Sequence, residues 1–291
     1  MRRRNRLGAR LAPYLLVLPG WLWLALFFVI PTFVMLSVST QTGDIVSGFK
    51  QTFHWQNYTK GWEQYYDQFI RSIEYGLIAT GLCLVIAYPV AYWIAFRGGA
   101  HKSSLLLLLL LPFFVSFVIR TQSWNFILSD NGMVVSRLRD WGLVSSDFHI
   151  LATPTAVVGG LTYNFLPFMV LPIYVSLERL DPALLEASAD LYGSKRATFR
   201  KVVLPLSLPG VFAGALLTFV PASADYVNAS ILGGAKTTMI GNIIQTEYFT
   251  NLNYPMASAL AFSLMAALLV GVFIYARILG TENTLEMAAA R

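Results

Sequence analysis

Residues 181–209 read DPALLEASADLYGSKRATFRKVVLPLSLP, and long apolar runs flank them on both sides. The stretch carries too much charge to cross a membrane itself. Asp181 followed by Pro182 has the form of an N-cap with proline at the first helical position, where the missing N–H has no helical bond to lose. Leu184, Leu185, Ser188 and Leu191 then recur at helical spacing, with Glu186 and Asp190 beside them. Gly193 interrupts the pattern. Ser194 can cap a second helix with Phe199, Val202 and Val203 on its apolar face and Lys195, Arg196, Arg200 and Lys201 on its polar face. Pro205 and Pro209 mark the entry into the next apolar segment. The spacing predicts a helix–turn–helix elbow held at a membrane surface. Periodicity alone is also compatible with a plain polar loop whose apolar stripe packs on its neighbours.

The rest of the chain supplies the membrane. Of 291 residues, 56% are hydrophobic and only 12% charged, and mean hydropathy is +0.59. Soluble domains carry about 25% charged residues, so the expectation is an all-α integral membrane protein. Cys83 is the lone cysteine and sits in an apolar run, which excludes a disulfide framework and a cysteine metal site. The net charge of +6 comes from basic residues beside the apolar runs. Membrane topology explains them better than nucleic-acid binding does.

Six apolar runs are long enough for a hydrocarbon layer of about 30 Å: about 14–38, 71–96, 104–124, 153–177, 207–227 and 256–279. They form one transmembrane domain over 1–291, with the elbow at 178–206 between the fourth and fifth. The first run is too long for a secretory h-region and lacks a small-residue cleavage site, so it reads as a retained span that Pro19, Gly20 and Pro31 would bend. Residues 39–70 are polar and aromatic, as at a membrane–water boundary. Val134, Leu138 and Trp141 predict a short surface helix in the loop 125–152. Fourteen Lys and Arg residues fall on the N-terminus, the 97–103 turn, the elbow and the tail, against seven on the opposite segments. The positive-inside rule therefore puts the N-terminus, elbow and C-terminus in the cytoplasm.

A catalytic apparatus is not legible. Gly234-Ala235-Lys236-Thr237-Thr238 is a poor phosphate loop, because no glycine directly precedes the lysine and the stretch falls on the outer side. His54, His101 and His149 are scattered singly, without a partner at ligand spacing. The chain reads as a non-enzymatic subunit with no cofactor of its own.

Glu186-Ala187-Ser188, followed by Val202-x-Leu204-Pro205, closely resembles the EAA loop of ABC importer permeases of the type I class. That family pattern is Glu-Ala-Ala, a glycine four positions after the second alanine, and Ile-x-Leu-Pro at a fixed distance beyond. The Glu-to-Pro distance matches. Ser188 replaces the second alanine, and Tyr192 stands where the glycine is usual, with Gly193 one place later. The resemblance runs from about residue 10 to 279 and is closest to the spermidine/putrescine branch. YGLIATGLCLVIAYPVAYWIAF, LLPFFVSFVIRTQSW, LPFMVLPIYVSLERLD and LGGAKTTMIGNIIQ carry it. Branches importing ferric iron, opines and other small solutes share much of these stretches.

The resemblance implies a multi-pass subunit of a bacterial inner membrane, paired with a second permease, usually as a heterodimer. Two cytoplasmic ATPase subunits would use ATP and Mg²⁺, and an extracytoplasmic binding protein would deliver substrate. It implies that Leu184, Leu185, Glu186, Ala187, Ser188, Leu191, Tyr192, Gly193, Phe199 and Pro205 form the ATPase-coupling loop. Glu186 would anchor it through charge-assisted hydrogen bonds, and Leu184, Leu185, Leu191 and Phe199 would fill the docking surface. A polyamine is a flexible polycation and needs carboxylates and aromatic faces. Glu74, Trp124, Tyr163, Asn164, Asp225 and Tyr226 are the candidates for its pathway. Each has a plainer role: Glu74 can pair with Arg71 on its helix, Asp225 can cap the broken end of the fifth span, and Trp124 and Tyr163 can be packing or boundary aromatics. An ion-driven transporter or channel, and an integral-membrane enzyme, are the rival classes. The first would place ionisable residues at mid-membrane, and the second would need a catalytic constellation.

Overall fold

The computed structural model describes residues 6–145 and 147–279. Thirteen α-helices and one short hairpin lie among them. The described chain divides into two compact units, Met1–Gln64 with Thr246–Ser263 and Tyr65–Gln245 with Leu264–Arg291.

The smaller unit holds the first span, α1 (Arg6–Leu24) and α2 (Ile30–Ser39), joined by a π turn over Ala25–Val29. Pro31 lacks the N–H that would bond the Phe27 carbonyl, and its ring crowds that oxygen. The widened turn absorbs both effects. Residues 16–34 of this span are exposed almost throughout. Strands β1 (Gln41–Asp44) and β2 (Gly48–Gln51) follow as an antiparallel hairpin, where the sequence showed only a polar, aromatic segment. Ser47 and Val46 donate to the Asp44 carboxylate, and these bonds hold its pKa below the ordinary value. The Asn57 side-chain amide donates to the carbonyls of Ser39 and Gln41. The Ser39 and Tyr58 hydroxyls meet at 2.6 Å.

The larger unit is built on α3 (Gln56–Arg97) and α7 (Pro154–Glu178). At 42 residues, α3 is longer than the expected span of 71–96, with a non-helical residue at Tyr65. Its buried face mixes small residues, Ser72, Ala79, Cys83, Ala87, Ala91 and Ala95, with the larger Phe69, Tyr75 and Ile94. Small side chains let backbones approach closely, which is how helices pack in lipid without a hydrophobic driving force. The span expected at 104–124 is instead broken. Helix α4 (Lys102–Leu110) and a 3-10 turn end at Phe114, then α5 (Phe117–Leu128) leaves at 86°. Pro112 lies in that turn, and Val115 and Ser116 are extended rather than helical. The surface helix α6 (Met133–Asp140) is present, but it buries Val135 while Trp141 is exposed.

Helix α7 is buried on nearly every side. Elbow helices α8 (Pro182–Asp190) and α9 (Lys195–Thr198) follow. The expected fifth span 207–227 needs correcting at both ends. Helical structure is continuous from Lys195 to Ser223, through a second π turn at Phe199–Val203 and then α10 (Leu204–Ser223). The π turn again precedes a proline, Pro205. Gly210 and Gly214 of α10 face α7: a Cβ on Gly210 would lie 2.5 Å from the Pro172 carbonyl oxygen, and one on Gly214 would lie 2.9 Å from Met169 Sδ. Short helices α11 (Val227–Leu232) and α12 (Ile240–Phe249) precede α13 (Tyr254–Leu279), close to the expected sixth span of 256–279. Among the described residues, five helices have the length and apolarity of spans, with a sixth if the bent pair is one span.

Candidate functional site

The elbow is assembled from local hydrogen bonds. Asp181 Oδ1 accepts from the Ala183 amide at 2.9 Å, the N-cap that its position before proline foretells. Helix α8 ends in a Schellman-type turn: the Gly193 amide donates to the Ser188 carbonyl at 2.9 Å. The left-handed residue of that turn is Tyr192, at φ +56°. Glycine is the usual occupant there because it has no Cβ to clash. The shifted glycine has its own cause, since a Cβ on Gly193 would sit 2.5 Å from the Ser188 carbonyl oxygen and 2.8 Å from Ser188 Oγ. Ser194 Oγ then caps α9, accepting from the Ala197 amide at 3.3 Å. The Ser188 and Thr198 hydroxyls, 2.8 Å apart, pin the two arms together.

The coupling-loop side chains divide into two sets. Leu184, Glu186, Ala187, Leu191 and Tyr192 are exposed, Leu191 at 83% and Tyr192 at 99%. Leu185 and Phe199, expected on a docking surface, turn the other way and pack on the core of the spans. The Phe199 ring meets Tyr88 and Tyr92 edge-on, with centroids 5.7 and 6.0 Å away. Below it the Tyr88 hydroxyl meets Ser207 Oγ at 2.8 Å. The same core contains Ala87 and Ala91 of α3, Ile173 and Leu177 of α7 and Val211 of α10. Full burial of such a ring stabilises by about 1.5–3 kcal/mol; Phe199 is half-buried, and its contacts join the elbow to these helices. Lys102 Nζ and Glu178 form an ion pair at 2.9 Å nearby. It is half-exposed, which limits its contribution to about 1 kcal/mol or less.

A second cluster lies along the first half of α7. The Asn164 side-chain amide donates to Thr121 Oγ1 and to Asn228 Oδ1, both at 3.0 Å. Asp225 Oδ1 in turn accepts from the backbone amide of Asn228 at 2.7 Å and from its side chain at 3.2 Å. Asp225 thus binds the first turn of α11, the helix after the break, from one residue before its N-cap Tyr226. Burial pushes its carboxyl up to about 6, with the Asn228 bonds pulling in the opposite direction. Gly160 makes the close approach of α11 possible, since a Cβ there would fall 2.7 Å from Asn228 Oδ1. Asn164 Oδ1 is buried with no hydrogen-bond partner among the described residues.

Aromatic rings line the neighbouring turn. Tyr163 stacks on Phe113 at 6.1 Å and meets Trp124 edge-on at 5.3 Å. Arg120 sits over them, its guanidinium carbon 4.2 Å from the Phe113 centroid, 5.8 Å from Phe117 and 6.0 Å from Tyr163. Its Nε and Nη1 are buried and unpartnered among the described residues. Cation–π contacts contribute about 0.5–2 kcal/mol, while removing a charge from water costs several kcal/mol. Arg120 as a whole is only half-buried, so part of that cost is avoided.

The structure therefore brings Trp124, Tyr163, Asn164 and Asp225 into adjoining turns of one cluster. Tyr226 is 45% exposed, and its carbonyl accepts from Asn242. Glu74 is not part of the cluster. It shares the exposed face of α3 with Leu77, Ile78 and Leu82, and Arg71, its suggested partner, donates to the Thr238 carbonyl instead. Sequence reasoning missed Arg120, Thr121, Phe113 and Asn228. Two signals were available: an arginine inside an apolar run, and Asp225-x-x-Asn228 at capping distance.

No family model matches the chain. A bacterial ABC transporter that imports the acidic polysaccharide alginate contains a chain of the same fold, with a TM-score of 0.73 at 17% identity, covering 97% of this chain and 100% of that one. A chain of the inward-facing MetNI methionine ABC transporter matches with a TM-score of 0.51 at 17% identity, over 72% of this chain and 89% of that one. The fold is one found in chains of ABC transporters. In sequence, the spermidine/putrescine transport system permease protein PotB of Escherichia coli K12 is 35% identical over 268 residues, 91% of this chain and 98% of PotB. The PotB of Haemophilus influenzae is 37% identical over 88% of this chain and 90% of its own length. The inner membrane ABC transporter permease protein YdcU of Escherichia coli K12 is 32% identical over 72% of this chain and 70% of YdcU. The chain belongs to the PotB family of ABC transporter permeases.

Proposed function

We propose that the chain is one permease subunit of an ATP-driven importer for polyamines such as spermidine and putrescine, in a bacterial inner membrane. The observation that carries this reading is identity of 35% and 37%, over 91% and 88% of the chain, to permeases named for spermidine and putrescine transport. The N-terminus, elbow and C-terminus face the cytoplasm, as the basic residues favour. A second permease completes the pathway, two ATPase subunits bind and hydrolyse ATP with Mg²⁺, and an outer binding protein delivers the polyamine. This chain supplies no cofactor chemistry.

Leu184, Glu186, Leu191 and Tyr192 meet the ATPase, with Glu186 accepting charge-assisted hydrogen bonds. Leu185 and Phe199 carry the displacement inward to the spans. Because helical structure runs from Lys195 to Ser223 without a break, a pull on the elbow moves the fifth span as a lever. Asp225 and the cluster around Asn164 lie at the far end of that lever. Closure of the ATPase dimer thereby changes the pathway from inward-facing to outward-facing.

Reconstitution with the partner subunits and uptake of labelled spermidine tests the reading. ATP-dependent uptake, absent when the ATPase is omitted, is the expected result. Preference for ferric iron or an amino-acid conjugate would overturn the substrate. Uptake without any ATPase would overturn the class.

A further inference from the structure

Arg120 is unusual in what it lacks. An arginine retained for stability in an apolar setting normally donates to a carboxylate or a carbonyl. Among the described residues no carboxylate lies within ion-pair distance of Arg120, and its buried Nε and Nη1 donate to nothing. Aromatic faces alone receive it, chiefly Phe113 at 4.2 Å. The quadrupole that attracts a guanidinium attracts an alkylammonium for the same reason. The next residues along the two helices, Thr121 and Asn164, are joined by a hydrogen bond, and Asn164 keeps a buried oxygen free to accept an N–H. These are the features of a cation site that already contains a cation. Two like charges cannot share it.

We propose that Arg120 is a tethered competitor: its guanidinium occupies the aromatic cleft of Phe113, Phe117 and Tyr163 in the empty subunit, and an alkylammonium group of the substrate takes that place as Arg120 swings out. The inference rests on the polyamine reading above. It gives the empty pathway a plug of the same charge and chemistry as its cargo. A small cation must displace Arg120 unaided. A polyamine can be held at one ammonium by a carboxylate such as Asp225 while another ammonium displaces the guanidinium.

Equilibrium dialysis of labelled spermidine against the assembled transporter in lipid nanodiscs, without the binding protein, tests this. Arg120→Gln removes the competing charge and is expected to tighten binding roughly tenfold, the factor an interaction of this class commands. Arg120→Lys keeps a competing cation and restores most of the wild-type affinity. Tyr163→Leu in the Arg120→Gln background removes the gain. Arg120→Met preserves the stem should the glutamine variant fail to fold, and tightening is expected there too. If Arg120 only staples the bend between α4 and α5, its loss lowers thermal stability and leaves affinity unchanged or weaker, and the inference fails. Wild-type import of spermidine with no tightening in Arg120→Gln sinks the inference alone. Absence of spermidine import by the wild type sinks the polyamine reading itself.

Discussion

The two halves of α7 lead to polar regions built on opposite terms. Beyond its C-terminal end, the elbow satisfies its polar groups locally: Asp181 and Ser194 cap the two arms and Ser188 bonds Thr198. Its charged residues point outward, and its Phe199 ring meets Tyr88 and Tyr92 edge-on. Along the other half, Asn164, Asn228 and Asp225 are buried, and Asn164 Oδ1 and two Arg120 nitrogens are left without partners. A satisfied, anchored element transmits force. An unsatisfied, buried one is poised to accept a ligand's hydrogen bonds and charge. On the function proposed above, the contrast would give motion to the elbow and recognition to the cluster.

Breaking the elbow's outward face should have the largest effect. Glu186→Ala leaves the fold and the inward contacts of Leu185 and Phe199 alone. It is expected to lower coupled uptake more than tenfold while the chain still inserts and co-purifies with its partner permease. ATP turnover in vesicles, measured beside uptake, separates uncoupling from loss of assembly; retained wild-type uptake would reverse the assignment.

Next comes the helix contact that joins the two regions. Gly214→Leu forces a branched side chain into Met169, and overpacking of this kind costs about 1–3 kcal/mol. A lowered thermal midpoint of the purified subunit checks it, and both regions should suffer together.

A smaller effect is expected in the cluster. Asp225→Asn removes the carboxylate but keeps an acceptor for the Asn228 amide, so spermidine binding should weaken about three- to tenfold. Burial raises the acid's pKa to about 6, so the charge is present above that pH and is lost as pH falls through it. Wild-type affinity should therefore drop between pH 7 and pH 5. The drop should be absent in Asp225→Asn. An identical pH profile in the two proteins would remove Asp225 from the pathway.

The smallest effect belongs to the turn. Tyr192→Gly relieves a left-handed tyrosine, a strain of about 1 kcal/mol, and should raise the stability of the isolated subunit by about that amount or less, since glycine costs entropy. Denaturant unfolding reads it directly, and a loss of stability would mean that the exposed ring contributes more than its backbone costs.

How much of this was legible from residues alone follows the same division. The elbow was readable because it is local: Asp181-Pro182, Ser194 and the 3–4 spacing of leucines act within a turn or two of chain. Its inward face was not, because whether Phe199 meets a partner protein or Tyr88 depends on packing over a hundred residues of separation. The bend after Phe114 escaped because leucines at 105–111 read as an uninterrupted span, and hydropathy carries no direction. The continuity of Lys195–Ser223 escaped because Pro205 reads as a helix start, whereas a π turn carries the helix past it. Trp124, Tyr163, Asn164 and Asp225 stand out by composition, as rare polar and aromatic residues near spans. Their link through Asn228 and Thr121 is tertiary and has no sequence period.

The central claim is that a motor grips the outward face of the elbow from inside the cell. Cys83 is fully buried, so a single Tyr192→Cys substitution at a 99% exposed site gives one reactive thiol. In sealed vesicles, a membrane-impermeant maleimide should label it from the cytoplasmic face alone, and the assembled ATPase should block that labelling. Labelling from the opposite face, or labelling indifferent to the ATPase, would contradict the account.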